Sequence, residues 1–308
     1  VVRKGSLHLL QVSRQLDFRE PTPADAQWMT PLLSSEGHMG CEYAFATIFM
    51  WRKYYHTCIA RADEFLFVKS QEEKHSYLPP IGGSLEDGMA LLSAYVHEKG
   101  HALKLFGADS EMVQRLGALY PGRFTFTPAP SDFDYLYRSE DLAELAGKKY
   151  HGKRNHISAF SARYDWKYEP ITADNIPEVE EMAREWCRLK GNCQDKGLRS
   201  ENCAIREALS VRQQLRLIGG LIRVDGRVVA FTFGSPINSE VFDVQVEKAL
   251  PDYAGAYTVI NREFVSHELR GYTYINREND LGIEGLRRAK KSYYPAILLE
   301  KYVCTENI

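Results

Sequence analysis

A dense polar run, Asn276-Arg277-Glu278-Asn279-Asp280, follows a strand-like segment at Tyr272–Asn276. Strand ends hold loop residues in fixed positions, so a run of this kind suits a reacting site. The Arg277 guanidinium suits a two-pronged grip on a carboxylate or phosphate. Glu278 and Asp280 suit removal of a proton from an amine or hydroxyl, with Asn276 as a binding partner. A local ion-pair cluster capping a helix at Ile283 would use the same residues without chemistry.

Two basic clusters offer contacts to phosphate. The first is Lys148, Lys149, Lys153 and Arg154, with His151 and His156 beside them. No acidic residue interrupts it from Ala146 to Tyr164. On a helix, Lys149, Lys153 and His156 share one face at spacings of four and three. The second cluster, Arg287, Arg288, Lys290 and Lys291, sits in the last turns of a helix, where cations also suit the helix dipole.

His97-Glu98-Lys99-Gly100-His101 matches the pattern of zinc proteases. That chemistry needs both histidines on one helical face. Gly100 reads as the stop of the helix, so the second histidine falls beyond it. Cys187, Cys193 and Cys203 lack metal-like spacing, and no metal site is expected. There is no phosphate-binding G-x-x-x-x-G-K-[ST] loop, no G-x-G-x-x-G and no G-x-S-x-G.

The elements behind these residues repeat. Glu20-Pro21-Thr22-Pro23-Ala24-Asp25 returns as Glu169-Pro170-Ile171-Thr172-Ala173-Asp174, 149 residues on. Each copy follows a short strand candidate (Leu16–Arg19, Asp165–Tyr168) and precedes a helical segment (Ala26–Leu33, Ile176–Leu189). An offset of half the chain points to duplication. In the second half, Leu217–Val224 and Arg227–Gly234 flank Asp225-Gly226, a hairpin signal. Strands at Val241–Val246, Tyr272–Asn276 and Leu298–Val303 alternate with helices at Tyr257–Leu269 and Ile283–Lys291. The first half reads as strands at Phe65–Lys69, Leu103–Phe106, Phe124–Phe126 and Tyr135–Tyr137, with helices at Glu86–Lys99 and Ser110–Leu119. Asp141–Tyr164 reads mostly as helix with Ser139 as its N-cap.

Composition narrows the class. The 308 residues carry 39 basic and 41 acidic side chains, a net charge of −2, against a globally basic nucleic-acid binder. Hydrophobic residues at 44% and charged residues at 26% are those of a globular protein. No apolar run approaches the ~18–20 residues of a membrane helix, and no leader-like apolar segment opens the chain. Six cysteines with no Cys-x-x-Cys pair fit reduced thiols and a cytoplasmic protein.

The second-half order resembles the GNAT acyltransferase fold, and a tandem of such halves resembles its aminoacyl-transferring branch. More narrowly, the chain resembles the bacterial family that shares the C-terminal domain of phosphatidylglycerol lysyltransferases. The residues carrying this are 148–156 (Lys-Lys-Tyr-His-Gly-Lys-Arg-Asn-His) and the run from Tyr274 to Leu286, followed by Ala289-Lys290, Tyr293-Tyr294-Pro295 and Glu300-Lys301-Tyr302. The resemblance implies an α/β protein with mixed sheets and two tandem GNAT-like domains. These would be 17–163 with the connecting helix and 164–308, after an extension at 1–16. It implies an acyl or aminoacyl transferase with aminoacyl-tRNA as donor and an amine, hydroxyl, peptide or lipid-headgroup acceptor. In the lysyltransferases an aspartate on the strand after the hairpin is tied to catalysis. Asp243 is the nearest match, although Val246 stands where a basic residue is expected, and Glu247 and Tyr257 are alternatives. GNAT enzymes hold coenzyme A on a glycine loop, here Asp252-Tyr253-Ala254-Gly255-Ala256-Tyr257. Gly255 is in place, but Asp252 puts an anion where pyrophosphate would approach. An acyl-CoA-dependent N-acetyltransferase is therefore the second reading, and a non-catalytic module binding a small anion or RNA the third.

Overall fold

The computed structural model describes residues 16–70, 75–191 and 196–307. Most of the proposed 1–16 extension, and Cys193, lie outside the described residues. The first half runs α1 (Ala26–Ser35), α2 (Phe45–Trp51), β1 (Cys58–Ala62), β2 (Phe65–Ser70), β3 (Ser76–Tyr77), α3 (Leu85–Glu98), β4 (Lys104–Asp109), α4 (Ser110–Leu119), β5 (Phe124–Pro128) and β6 (Asp134–Arg138). Two connecting helices follow, α5 (Ser139–Glu144) and α6 (His151–Arg163). The second half runs β7 (Trp166–Pro170), α7 (Ile176–Gly191), α8 (Lys196–Ser210), β8 (Ile218–Val224), β9 (Arg227–Pro236), β10 (Val241–Ala249), α9 (Ala256–Glu268), β11 (Tyr274–Asn276), α10 (Glu284–Lys291), β12 (Ile297–Leu299) and β13 (Lys301–Glu306).

These strands form two mixed sheets, ordered β1-β2-β3-β4-β13-β5 and β12-β6-β11-β10-β9-β8-β7. Each holds one parallel pair, β3 with β4 and β10 with β11, joined through α3 and α9 respectively. The ends of the halves are exchanged. The last strand of the chain, β13, inserts between β4 and β5, while β6 inserts between β11 and β12. Each sheet is thus completed by a strand from the other half of the sequence.

Local chemistry explains the elements. Asp225 and Gly226 both take positive φ, 48° and 82°, which is what a two-residue hairpin twisted like its strands requires. Ser84 and Asp109 cap α3 and α4, accepting from the Asp87 and Met112 amides. Both copies close a turn, one residue out of step: Asp25 accepts from the Thr22 amide, and Asn175, just past the second hexapeptide, from the Thr172 amide. Between the halves, α2 packs on α8, so Phe45, Phe49 and Met50 share one core with Ile205, Leu209 and Phe233.

Several expectations are corrected. Leu16–Arg19 forms no strand beyond a bridge from Arg19 to Ile59. The connecting helix breaks at Leu145, whose φ of 48° is left-handed. Ser139 lies inside α5 rather than capping it, because its hydroxyl donates to the Leu269 carbonyl. The final strand is two strands, one in each sheet. In the zinc-protease pattern α3 stops at Glu98, Gly100 takes φ 72°, and His97 bonds Glu306 at 2.7 Å. The pattern is therefore not a pair of ligands on one helix.

Candidate active site at the fork of β10 and β11

Strands β10 and β11 pair in parallel from Val241–Tyr274 to Asp243–Asn276 and then part. β10 runs on through Gln245 and Glu247 to Ala249, while the chain after Asn276 turns away. A register irregularity between Asp243 and Val246 bulges β10 at the point of parting. Gly234 on β9 permits it: a Cβ there would lie 2.0 Å from the Asp243 carbonyl oxygen.

Side chains rather than backbone bonds fill this fork. Arg277 Nη2 crosses it to donate to Glu247 Oε1 at 2.7 Å, and Asn261 Nδ2 donates to the other Glu247 oxygen at 3.1 Å. The guanidinium lies 4.9 Å from the Tyr293 ring centre, with Lys153 Nζ 3.7 Å from the same ring. Burial, helped by the Arg277 charge, lowers the Lys153 ammonium to about 8. The Lys290 ammonium donates to the Arg277 carbonyl and pins the loop.

Deeper in, Asp243 is fully buried and accepts from Thr47 Oγ1 at 2.9 Å and Gln245 Nε2 at 3.0 Å. Burial, with the charges of Glu278 and Asp134, raises its carboxyl well above the carboxylate range. Burial also pushes Glu278 up to about 8, with Lys290 opposing and Asp134 adding. Asp134 accepts from the Cys41 amide, Asn276 Nδ2 and Lys301 Nζ, at 2.9, 2.8 and 2.8 Å. Asn276 in turn accepts from the Glu278 amide at 2.7 Å. Four carboxyls (Glu42, Asp134, Asp243, Glu278) thus meet two ammonium groups (Lys290, Lys301). Burial, with this excess of acids, raises the carboxyls of Asp243, Glu278 and Glu42.

Six buried side-chain atoms lack a partner among the described residues: Glu42 Oε2, Asp243 Oδ1, Gln245 Oε1, Asn261 Oδ1, Arg277 Nη1 and Glu278 Oε1. All belong to this constellation. Native proteins rarely leave buried polar atoms unmatched away from functional sites.

The sequence-derived candidates therefore divide. Asp243, Glu247, Asn276, Arg277, Glu278 and Lys153 meet at the fork. Asp280 does not join them: Arg287 and Tyr135 hold it at 2.8 and 2.7 Å and lower it to about 2, as suits a loop anchor. Tyr257 is exposed, its oxygen accepting from Trp186 Nε1 at 3.2 Å. Arg154 bonds the Leu145 and Gly147 carbonyls, and Lys149 faces Asp141. His156 is an exposed side chain whose carbonyl lies where a Cβ on Gly255 would reach, 2.9 Å away.

Sequence reasoning missed Cys41, Glu42, Thr47, Asp134, Gln245 and Lys301. One signal was available: Asp134 and Lys301 are charges directly before apolar strand residues, Tyr135-Leu136-Tyr137 and Tyr302-Val303. Among the described residues Cys41, Glu42 and Asp134 alone cluster closely enough for a metal. The Lys301 ammonium stands among them, 2.5 Å from Glu42 and 3.6 Å from Cys41 Sγ. Burial first, then the Asp134 charge, raises the Cys41 thiol well above its usual value.

The family model described as phosphatidylglycerol lysyltransferase, C-terminal, matches residues 35–305. The chain belongs to this family. Its structure superposes on a conserved protein of unknown function from Bacteroides thetaiotaomicron with a TM-score of 0.91 at 40% identity, covering 95% of this chain and all of that one. L-PGS from Bacillus licheniformis shares the fold at TM-score 0.66 and 14% identity, over 93% and 92% of the two chains. A tandem GNAT protein of clavulanic acid biosynthesis aligns at TM-score 0.50 and 10% identity, over 95% and 98%. The fold is thus the mixed α/β, GNAT-like tandem. An uncharacterized protein of Mycoplasmoides gallisepticum is 21% identical over 177 residues, and the match spans 56% of each chain. Among the described residues no helix is long and apolar enough to cross a membrane.

Proposed function

We propose that this member of the family is a transferase that moves an aminoacyl group from aminoacyl-tRNA to an amine or hydroxyl acceptor. One observation carries the reading. At the parting of β10 and β11, Arg277 Nη1 and Glu278 Oε1 are an unmatched donor and acceptor in adjacent residues, and burial raises the acid to about 8. The acceptor nitrogen or oxygen attacks the ester carbonyl, and ionised Glu278 takes its proton. The tetrahedral oxyanion accepts from Arg277 Nη1. The C–O bond to the ribose then breaks, and Glu278 returns the proton to the departing hydroxyl. No covalent enzyme intermediate is needed.

Lys153 and Lys290 add positive potential beside the fork, in keeping with an anionic donor. Coenzyme A fits less well. Gly255 is packed against the α6 backbone, and Asp252 is exposed beside it. The acceptor class, including a lipid headgroup, is what the experiment distinguishes.

The test is single-turnover transfer from labelled bulk aminoacyl-tRNA to free amines, to glycerol and to phosphatidylglycerol vesicles. Wild type should form product with one class, and Glu278→Gln should lower the rate by about 10²–10⁴-fold. Consumption of acyl-CoA with no loss of aminoacyl-tRNA would overturn the proposal.

A further inference from the structure

A groove of about 520 Å³ opens at the amino ends of β10 and β11, the opposite ends from the fork. Thr30 and Ser34 of α1 form one wall. The β9–β10 turn (Pro236, Ile237, Asn238, Ser239) forms another, with Tyr272 and Arg216 completing it. The volume is in the range of small-molecule sites.

Arg216 is the charged residue of this lining, and no lining residue is acidic. Among the described residues its guanidinium has no ion pair or hydrogen bond. Its backbone is also held where glycine is usual. The turn after α8 closes with Arg216 N bonding the Gln213 carbonyl and Leu217 N the Arg212 carbonyl, leaving Arg216 at φ 54°. A side-chain-bearing residue there costs about 1 kcal/mol or more relative to glycine. The Tyr272 hydroxyl, likewise without a hydrogen bond among the described residues, feels the Arg216 charge. Thr30 and Ser239 bring further hydroxyls.

We infer that this groove binds a small organic phosphate through Arg216. A guanidinium and hydroxyls arriving from several sides match a tetrahedral anion with acceptors in every direction better than a planar carboxylate. Pro236, Ile237 and the Tyr272 ring leave an apolar wall for the organic part. The inference does not depend on the transfer reaction at the fork.

Calorimetric titration with glycerol 3-phosphate, inorganic phosphate and succinate tests it. The phosphate ester should bind best, and Arg216→Gly should weaken it about tenfold or more, the loss expected for a charge-assisted contact. Glycine suits the left-handed backbone, so R216G should fold, and its melting curve checks that it does. Tyr272→Phe should weaken binding less. Glu278→Gln, at the fork, should leave binding unchanged, so failure of the transferase reading remains separate. No binding of the ester up to about 10 mM, equal affinity in R216G, or tighter binding of succinate would overturn the assignment.

Discussion

Lys301 Nζ lies 2.8 Å from Asp134 Oδ1, with the two side chains 2% and 0% exposed. Each residue opens an exchanged strand, β13 and β6 respectively. The ion pair therefore fastens both exchanges at one buried point. Through Asn276, which donates to Asp134 and accepts from the Glu278 amide, the same point sets the loop that carries the candidate base.

Lys301→Met should cost about 3–5 kcal/mol, because it leaves Asp134 buried without its cation. The double variant Lys301→Met, Asp134→Asn should recover part of that loss, since Glu42 is then the one carboxylate of the two around Lys301 left without its cation. Urea unfolding of the singles and the double decides it. A single-variant loss under about 1 kcal/mol would mean that the pair behaves like a solvated one.

This network was the least legible part of the sequence. The second-half elements could be read because Asp225-Gly226 and the alternating strands around it are local signals. α2 could not be typed, because Phe45–Trp51 is apolar but for Thr47 and too short to show a helical period. The residues Asn276, Arg277 and Glu278 stood out as a polar run after a strand. Their partners did not, since Cys41 and Asp134 are 93 residues apart and Glu42 and Lys301 are 259 apart. Strand exchange brings them together, and nothing local encodes an exchange. Asp280 belongs to the same polar run, and the positions of Arg287 and Tyr135 separate it from its neighbours.

Glu278 makes a signed pH prediction. Its carboxyl rises from 4.5 to about 8 on folding, so across that interval the native state holds a proton that the unfolded chain has shed. Stability contributed in acid is then lost as pH rises toward about 8. Glu278→Gln should flatten that decline, leaving the part due to Asp243 and Glu42. Denaturant unfolding from about pH 5 to about pH 9 measures the slope, and an unchanged slope in the variant would remove Glu278 as its source.

Gly234→Ala should be severe although no charge is touched. The new Cβ would sit 2.0 Å from the Asp243 carbonyl oxygen and 2.5 Å from Phe242 Cε1. Backbone on one side and a buried ring on the other leave little room to shift, so a loss of about 3 kcal/mol or more is expected. Gly152→Ala, with nothing near its Cβ on exposed α6, should be neutral or slightly stabilising. Equal melting temperatures for the two variants would show that β9 and β10 relax at the bulge.

Lys153 runs opposite in sign to Glu278. Burial and Arg277 lower its ammonium from 10.5 to about 8, so between those values the unfolded chain binds the extra proton and stability rises with pH. The same shift makes the amine reactive. Near pH 8 roughly half of Lys153 is neutral, against under about one per cent of an ordinary lysine. Brief acetic anhydride treatment, mapped by mass spectrometry, should therefore modify Lys153 ahead of exposed Lys148. Arg277→Ala removes the neighbouring cation, so it should raise the Lys153 pKa and slow labelling even though it opens the site. Partial shielding of Lys153 would give the opposite response, with faster labelling in the variant, and that result would rule out Arg277 as the cause of the shift.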